Sequence, residues 1–215
     1  DTNKDLFKRL ITDQVGLGLL LAEYPGVLEN THRLQAELSA KKRSGRVQTV
    51  SYLLSKKTIK RIEDYLIEYK EKKQDRVYSG LDKHPRYLEG AGCMAFSHAV
   101  SEIAGLDTDA SQISWDKEIL IPMELVGPPQ TKNKVSMLKF INSRSVKSWA
   151  GKNEESLKIV FWDIDKIYQD IKSLNLDDPN YTYRKMGSSN EILYNRLDLE
   201  TPDEPFWLER KNSID

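Results

Sequence analysis

The sequence predicts an α+β fold in which an antiparallel sheet packs against helices. Over residues 14–50, short apolar or β-branched runs are separated by turn signals, which is typical of strands in a hairpin-rich sheet. Beyond them, apolar residues recur at helical spacing over residues 55–72 and 93–104. Hydrophobic residues make up 39% of the 215-residue chain, which is enough to bury a core. We therefore expect one large folded unit.

Three strands are expected near the beginning of the chain. Residues 14–22 form a short apolar run ahead of the turn signal Tyr24-Pro25-Gly26, which suits a buried strand. Val27-Leu28-Glu29 would begin its partner strand. Residues 46–50 follow a break at Ser44-Gly45 and alternate in β-branched fashion, which indicates the third strand.

Two helices are expected next, joined by a surface segment. The first begins after the capping residue Ser55, and its apolar positions fall at helical spacing: Ile59, Ile62, Leu66 and Tyr69. Residues 74–92 contain four glycine or proline residues, which is typical of a surface loop. The second helix runs from Cys93 to Ala104, and Gly105 is a suitable left-handed stop. Its buried stripe is Phe96, Val100 and Ile103.

After Gly105 the sequence predicts two strands and two helices, with a break at Gly127-Pro128-Pro129. In chain order they are an extended segment at residues 115–122, a helix at 135–149, a strand at 156–162 and a helix capped by Asp163. The apolar positions of this last helix are Ile164, Ile167, Ile171 and Leu174. Residues 175–215 show mostly loop signals.

Composition excludes several classes of function. Lysine plus arginine equal aspartate plus glutamate at 33 each, so no net field draws the chain to nucleic acid, a membrane surface or an acidic substrate. The longest apolar run, Val15 to Ala22, is far short of the ~20 residues that cross a bilayer. We expect a soluble protein without a transmembrane segment. Residues 1–8 do not have the pattern of a signal peptide, and a processed, extracytoplasmic product would look the same, so the compartment stays open.

Cys93 is the only cysteine of the chain, which excludes an internal disulfide and cysteine-rich zinc sites. It lies at the first turn of a predicted helix, after Gly90 and Gly92. Unpaired amides and the helix dipole at such an end favour a thiolate and can stabilise an oxyanion. The alternative is a small buried hydrophobic residue, which is the commoner use of a lone cysteine.

A cysteine hydrolase needs a base beside the thiol, so each of the three histidines is a candidate. His98 lies five residues after Cys93, roughly 140° round the helix, so we expect it to point elsewhere. His84 lies in a loop that can fold over the thiol or stay exposed. His32 follows the second predicted strand and is the better candidate by chain order.

Several short motifs occur in a specific order along the chain. Gln14-Val15-Gly16-Leu17 precedes Val27-Leu28-Glu29, a Gly45-to-Leu54 segment, and a helix from Cys93 that stops at Ile103-Ala104-Gly105-Leu106. The proline segment Ile121-Pro122-Met123-Glu124-Leu125 follows. In this order the set resembles the circularly permuted papain-like cysteine hydrolases of the NlpC type, which begin with a His-Val-Gly strand and place base, orienting residue and nucleophile in sequence.

The resemblance implies a permuted papain-like core at residues 1–126, with the matching motifs between residues 12 and 126. It implies Cys93 as nucleophile and Glu29 as the residue that orients the base, and it places Gln14 where the family has its catalytic histidine. Residues 127–215 match no part of the family. We expect them to form a C-terminal α/β extension packed on the core, within one structural unit.

Gln14 removes the base of the inherited mechanism, because a glutamine amide cannot take a proton from a thiol at physiological pH. Three explanations are open. The chain is a pseudoenzyme that kept the fold and its groove, or an enzyme whose base moved to His32 or His84, or position 14 has been substituted.

The sequence therefore predicts a cysteine-dependent hydrolase or acyl-transfer enzyme acting on an amide or ester bond. The alternative is an inactive homologue that binds a peptide, cell-wall fragment or lipid in the same groove, or a structural protein that kept only the fold. No cofactor and no metal are expected. Asp163 and Asp165 form an Asp-x-Asp pattern that can hold magnesium, but Asp163 has a simpler role as a helix cap. The oligomeric state is open.

Overall fold

The computed structural model describes residues 8–45, 47–106, 115–144, 149–151, 153–173, 181–186 and 189–210. Its α-helices are α1 (Thr31–Arg43), α2 (Lys56–Glu71), α3 (Cys93–Ala104), α4 (Met137–Arg144) and α5 (Ile164–Ser173). Its strands are β1 (Tyr24–Pro25), β2 (Gln48–Leu54), β3 (Val77–Tyr78), β4 (Asp116–Pro122), β5 (Ser156–Trp162), β6 (Tyr181–Met186) and β7 (Ser189–Arg196). The protein is therefore a mixed α+β fold, as expected.

The strands form three small sheets instead of the one antiparallel sheet that was expected. Strand β1 pairs with β3, and β4 pairs with β5, both antiparallel. The third sheet has the order β2-β7-β6, in which β7 is parallel to β2 and antiparallel to β6. Two of these sheets join strands from both sides of residue 126. The division of the chain at residue 126 stays a prediction, but residues beyond it complete sheets that earlier strands begin.

The first two predicted strands are wrong. Within residues 14–22, Leu17–Leu21 is a 3₁₀ helix, and only Val15 and Gly16 make isolated bridges, to Val135 and Val126. Gln14 and Gly16 both have positive φ, 55° and 51°, which an extended strand does not tolerate. A short apolar run in a sequence is compatible with either a strand or a short helix.

Val27–Glu29 is also not a strand, because pairing in this region falls earlier, at β1. The third predicted strand exists but begins later, as β2, and Arg46 lies outside the described residues.

The remaining expectation that failed concerns the end of the chain. Residues 175–215 were expected to form loops, yet they contain β6 and β7.

The elements with strong local signals are confirmed. Helix α2 begins after Ser55, whose hydroxyl accepts a hydrogen bond from the Thr58 amide at 3.2 Å. Helix α3 has the predicted bounds and ends at Gly105 with φ of 77°. The Asp163 carboxylate accepts a hydrogen bond from the Asp165 amide at 3.0 Å at the start of α5.

The strands and helices predicted in the second half of the chain are also present. Strands β4 and β5 match the extended segments predicted at 115–122 and 156–162. The helix expected at 135–149 is α4, and residues 145–148 lie outside the described part of the chain, as does Leu174. No helix in the described part of the chain is both long and apolar enough to cross a membrane.

Three apolar clusters hold these elements together. The first lies between β4, β5 and the 3₁₀ helix, around Ile121 and Val126. The second joins α2 to α3 through Tyr65 and Ile103, which are both fully buried. The third packs α5 on the β2-β7-β6 sheet around Ile192. The second cluster fixes the direction of α3 and therefore the position of Cys93.

Replacement of Ile103 by alanine tests the contact between α2 and α3. Ile103→Ala removes a fully buried side chain, so we expect the free energy of unfolding to fall by about 2–5 kcal/mol. The matched variant Ile59→Ala removes an isoleucine of α2 that is 45% exposed, and it should change the free energy of unfolding by less than about 1 kcal/mol. Urea unfolding of both variants measures the difference. Equal losses would mean that Ile103 does not hold α3 in place.

Candidate functional site

Cys93 occupies the first position of α3, and its thiol is exposed. Gly92 precedes it in an extended conformation and accepts the first helical hydrogen bond, from the Phe96 amide at 3.0 Å. The amides of the first turn of a helix have no partner within the helix, and the dipole makes this end electropositive. Backbone donors and the thiol therefore lie at the same end of α3.

The chain reaches Cys93 through a tight turn at Gly90, where φ is 69°. The Gly90 amide donates to the side-chain oxygen of Gln74 at 2.9 Å, and the Ala91 amide donates to the Val77 carbonyl at 3.2 Å. A Cβ atom on Gly90 would lie 2.5 Å from that carbonyl oxygen. Only glycine fits this turn, which sets where α3 begins.

A cavity of about 260 Å³ opens on one side of Cys93. Its lining brings together the thiol, His84, His98 and Trp162 with mostly apolar neighbours from the 3₁₀ helix and from residues 78–81. His98 and Cys93 therefore line the same cavity, which was not expected from the sequence. The two side chains lie on different faces of α3, but the cavity wraps around the beginning of the helix and reaches both.

A second cavity, of about 390 Å³, lies on the other side of Cys93. Its lining is again mostly apolar and includes Val27, Leu28, Tyr69 and Phe96. Val27 and Leu28 belong to a segment without regular structure and are 91% and 64% exposed. The thiol thus lies where two apolar grooves meet.

His84, His98 and Glu102 form a polar cluster at the wall of the first cavity. Nε2 of His84 lies 3.3 Å from Oε2 of Glu102. The rings of His84 and His98 are nearly perpendicular, with their centroids 5.6 Å apart. The centroids of the His98 and Trp162 rings are 4.5 Å apart. His98 and Glu102 are one turn apart on α3, so they share a face of that helix.

Burial governs the electrostatics of His84. Desolvation lowers the pKa of its imidazole to about 4, and the neighbouring His98 and Arg86 act in the same direction. The opposing effect of Glu89, whose carboxylate accepts a hydrogen bond from the His84 amide, is smaller. His84 is therefore neutral at neutral pH, with one ring nitrogen that keeps its lone pair.

The Arg86 guanidinium holds this part of the site in place. It is almost completely buried and donates to the Phe206 carbonyl at 3.1 Å and the Pro205 carbonyl at 2.7 Å. It also lies 3.3 Å from Oε2 of Glu102 and 2.6 Å from Oε1 of Glu204. Glu102 therefore contacts both His84 and Arg86.

The other candidate catalytic residues lie away from Cys93: Gln14 and Glu29 come from the resemblance, and His32 from chain order. Gln14 has a left-handed backbone, and its carbonyl accepts a hydrogen bond from the Val135 amide at 2.8 Å. Glu29 is exposed and lies 3.5 Å from Arg33, and His32 is exposed in the first turn of α1. Among the described residues that line the two cavities beside Cys93, none of these three occurs. Their catalytic roles stay predictions.

The His98–Glu102 pair was missed by reasoning from sequence, although a signal for it exists. Two polar side chains four residues apart in a secure helix lie on one face, and this spacing is common in helical metal and catalytic sites. The contribution of His84 has no such signal, because it depends on how residues 84–90 fold against α3.

Comparisons of the chain with protein-family models, with curated proteins and with solved structures found no match. The interpretation of the site therefore depends on its geometry and chemistry.

Substitution of Gly90 tests the turn that sets the start of α3. Gly90→Ala places a side chain at positive φ and against the Val77 carbonyl, so the free energy of unfolding should fall by more than about 1 kcal/mol. Gly151→Ala is the matched control, because its nearest neighbour would be 3.9 Å away, and it should change stability by no more than about 0.5 kcal/mol. Thermal unfolding of both variants checks this. If Gly90→Ala were as stable as Gly151→Ala, the turn would not constrain α3.

Proposed function

We propose that the protein is a cysteine-dependent hydrolase or acyl-transfer enzyme that acts on an amide or ester bond, with Cys93 as its nucleophile. The observation that carries this proposal is the cavity in which an exposed thiol at the start of α3 is accompanied by two histidines. A nucleophile, a nitrogen base and unpaired backbone amides in one cavity are the groups that acyl transfer requires.

The proposed roles follow from the basicity of His84. Burial lowers the pKa of His84 to about 4, which makes it a weak base, so we assign His98 as the proton acceptor for the Cys93 thiol. The thiolate attacks the carbonyl carbon, and the amides of the first turn of α3 stabilise the oxyanion. His98 then returns the proton to the leaving amine or alcohol as the carbon–heteroatom bond breaks. Water or a second acceptor releases the acyl group from sulfur.

The grooves on either side of Cys93 give this proposal a substrate preference. A carbonyl held at the thiol would place its acyl part in one apolar cavity and its leaving group in the other. Apolar walls favour aliphatic or aromatic groups. Among the peptide, cell-wall and lipid-like substrates expected from the sequence, those with a large apolar acyl group fit best.

A second candidate function is a binding module that uses the same grooves without catalysis. Gln14 at the position of the family's histidine favours it, because loss of the inherited base leaves the apolar cavities intact. Such a module would bind a peptide, a cell-wall fragment or a lipid through the apolar walls around Val27, Leu28 and Phe96.

The rate at which iodoacetamide alkylates Cys93 distinguishes the two candidates. An activated thiol reacts rapidly at about pH 6, where an ordinary thiol of pKa about 8.5 is almost entirely protonated. We expect rapid alkylation of the native chain and a loss of about tenfold or more in His98→Gln, because the proton acceptor is removed. Intact mass measured over time reports the rate.

His32→Gln is the matched control, because His32 is exposed on α1, and its rate should equal that of the native chain. Slow alkylation that Gln14→His accelerates would favour the binding module with a lost base. An ordinary thiol profile in the native chain and in every variant would contradict Cys93 as nucleophile.

A further inference from the structure

The cluster of His84, His98 and Glu102 is built differently from a simple catalytic pair. Each residue offers one ligand atom, and these atoms all lie within 4.8 Å of one another. Two of the residues come from one face of α3, and the third comes from the loop that ends in the turn at Gly90. Two imidazoles and one carboxylate converge from a rigid helix and a constrained loop.

The spacing fits a small transition-metal cation. Zinc takes nitrogen and oxygen ligands at about 2.0–2.1 Å in a tetrahedron, so two of its ligand atoms lie about 3.3 Å apart. His84 Nε2 and Glu102 Oε2 are already 3.3 Å apart. The His98 ligand atom lies within 4.8 Å of both, and two histidines with one glutamate are a ligand set that zinc uses.

A cation would give the buried imidazole of His84 a partner. Both of its ring nitrogens are buried without a hydrogen bond of good geometry to a described residue, although Nε2 lies 3.3 Å from Oε2 of Glu102. A buried polar atom without a hydrogen-bond partner is unfavourable. Coordination of a cation through one of these nitrogens would give the buried ring a partner.

Arg86 opposes a cation here, since its guanidinium lies 3.3 Å from the same Glu102 oxygen. Its charge is balanced by Glu204, at 2.6 Å, and its other hydrogen bonds go to backbone carbonyls. The pairing with Glu204 offsets the guanidinium charge beside Glu102. Arg86 therefore does not exclude a divalent cation.

We propose that His84, His98 and Glu102 bind a divalent transition-metal cation such as Zn²⁺, with a water molecule completing the tetrahedron on the cavity side. This site stands on its own geometry and does not depend on the proposed thiol chemistry. It adds a consequence to that chemistry, because a His98 nitrogen bound to a cation cannot accept the proton of Cys93.

Binding of Co²⁺ to the full chain, after treatment with a chelator and desalting, tests the site. The visible absorption of tetrahedral Co²⁺ reports the coordination geometry, and displacement by Zn²⁺ reports competition for the same ligands. We expect one cation per chain. Loss of a ligand in His98→Gln or Glu102→Gln should weaken binding by about tenfold or more.

His32→Gln is the matched control for His98→Gln. His32→Gln keeps the cluster intact and should bind like the native chain, whereas His98→Gln keeps the contact between Glu102 and Arg86, so its folding is not at risk from that pair. Circular dichroism confirms that each variant is folded.

Several results would overturn the site. One is the absence of saturable binding by the native chain, and another is equal affinity in His98→Gln and His32→Gln. A third is binding that Cys93→Ser abolishes and His98→Gln does not, which would assign the cation to the thiol. Alkylation of Cys93 is measured on the same samples without metal, so failure of the metal site and failure of the nucleophile are separate observations.

Discussion

The burial of the Arg86 guanidinium is the constraint on which the candidate site depends. A buried cation must find acceptors for its hydrogen atoms, because an unpaired charge in the interior costs several kcal/mol. Arg86 finds them in Glu102 of α3, in Glu204 and in the carbonyls of Pro205 and Phe206. One side chain thereby joins the loop before Cys93, the helix that carries Cys93, and the segment near the end of the chain.

The same contact explains why His84 lies where it does. His84 is two residues before Arg86, so fixing the guanidinium against Glu102 also brings the imidazole to the face of α3. Aromatic packing supports this arrangement from the other side. Tyr65 of α2 contacts Phe206 at a ring-centroid distance of 5.8 Å. The polar cluster is thus held by residues distant in sequence.

Local signals explain most of what the sequence could predict. A capping serine, apolar residues at helical spacing and a stopping glycine define α2 and α3 within their own segments. Strands β6 and β7 carry no equivalent signal, because β7 is a strand through parallel pairing with β2, as at Val50 and Ile192. The sequence did not predict that His98 lines the cavity at Cys93, for a related reason. Helical geometry gives its angle from Cys93 correctly, but the shape of the cavity depends on β5 and on the loop at residues 78–84.

The thiol and the histidine cluster make opposite demands on His98. Nucleophilic chemistry needs the free lone pair of that imidazole to accept a proton, and a cation needs the same lone pair for coordination. Coordination of His98 therefore withdraws the base that Cys93 needs for attack on a carbonyl. Coupling between two binding events is reciprocal. A ligand that engages the thiol and His98 must therefore weaken the binding of the cation by the same factor by which the cation weakens the binding of that ligand. If both inferences hold, the wall of this cavity has two exclusive states, one for acyl chemistry and one for a metal.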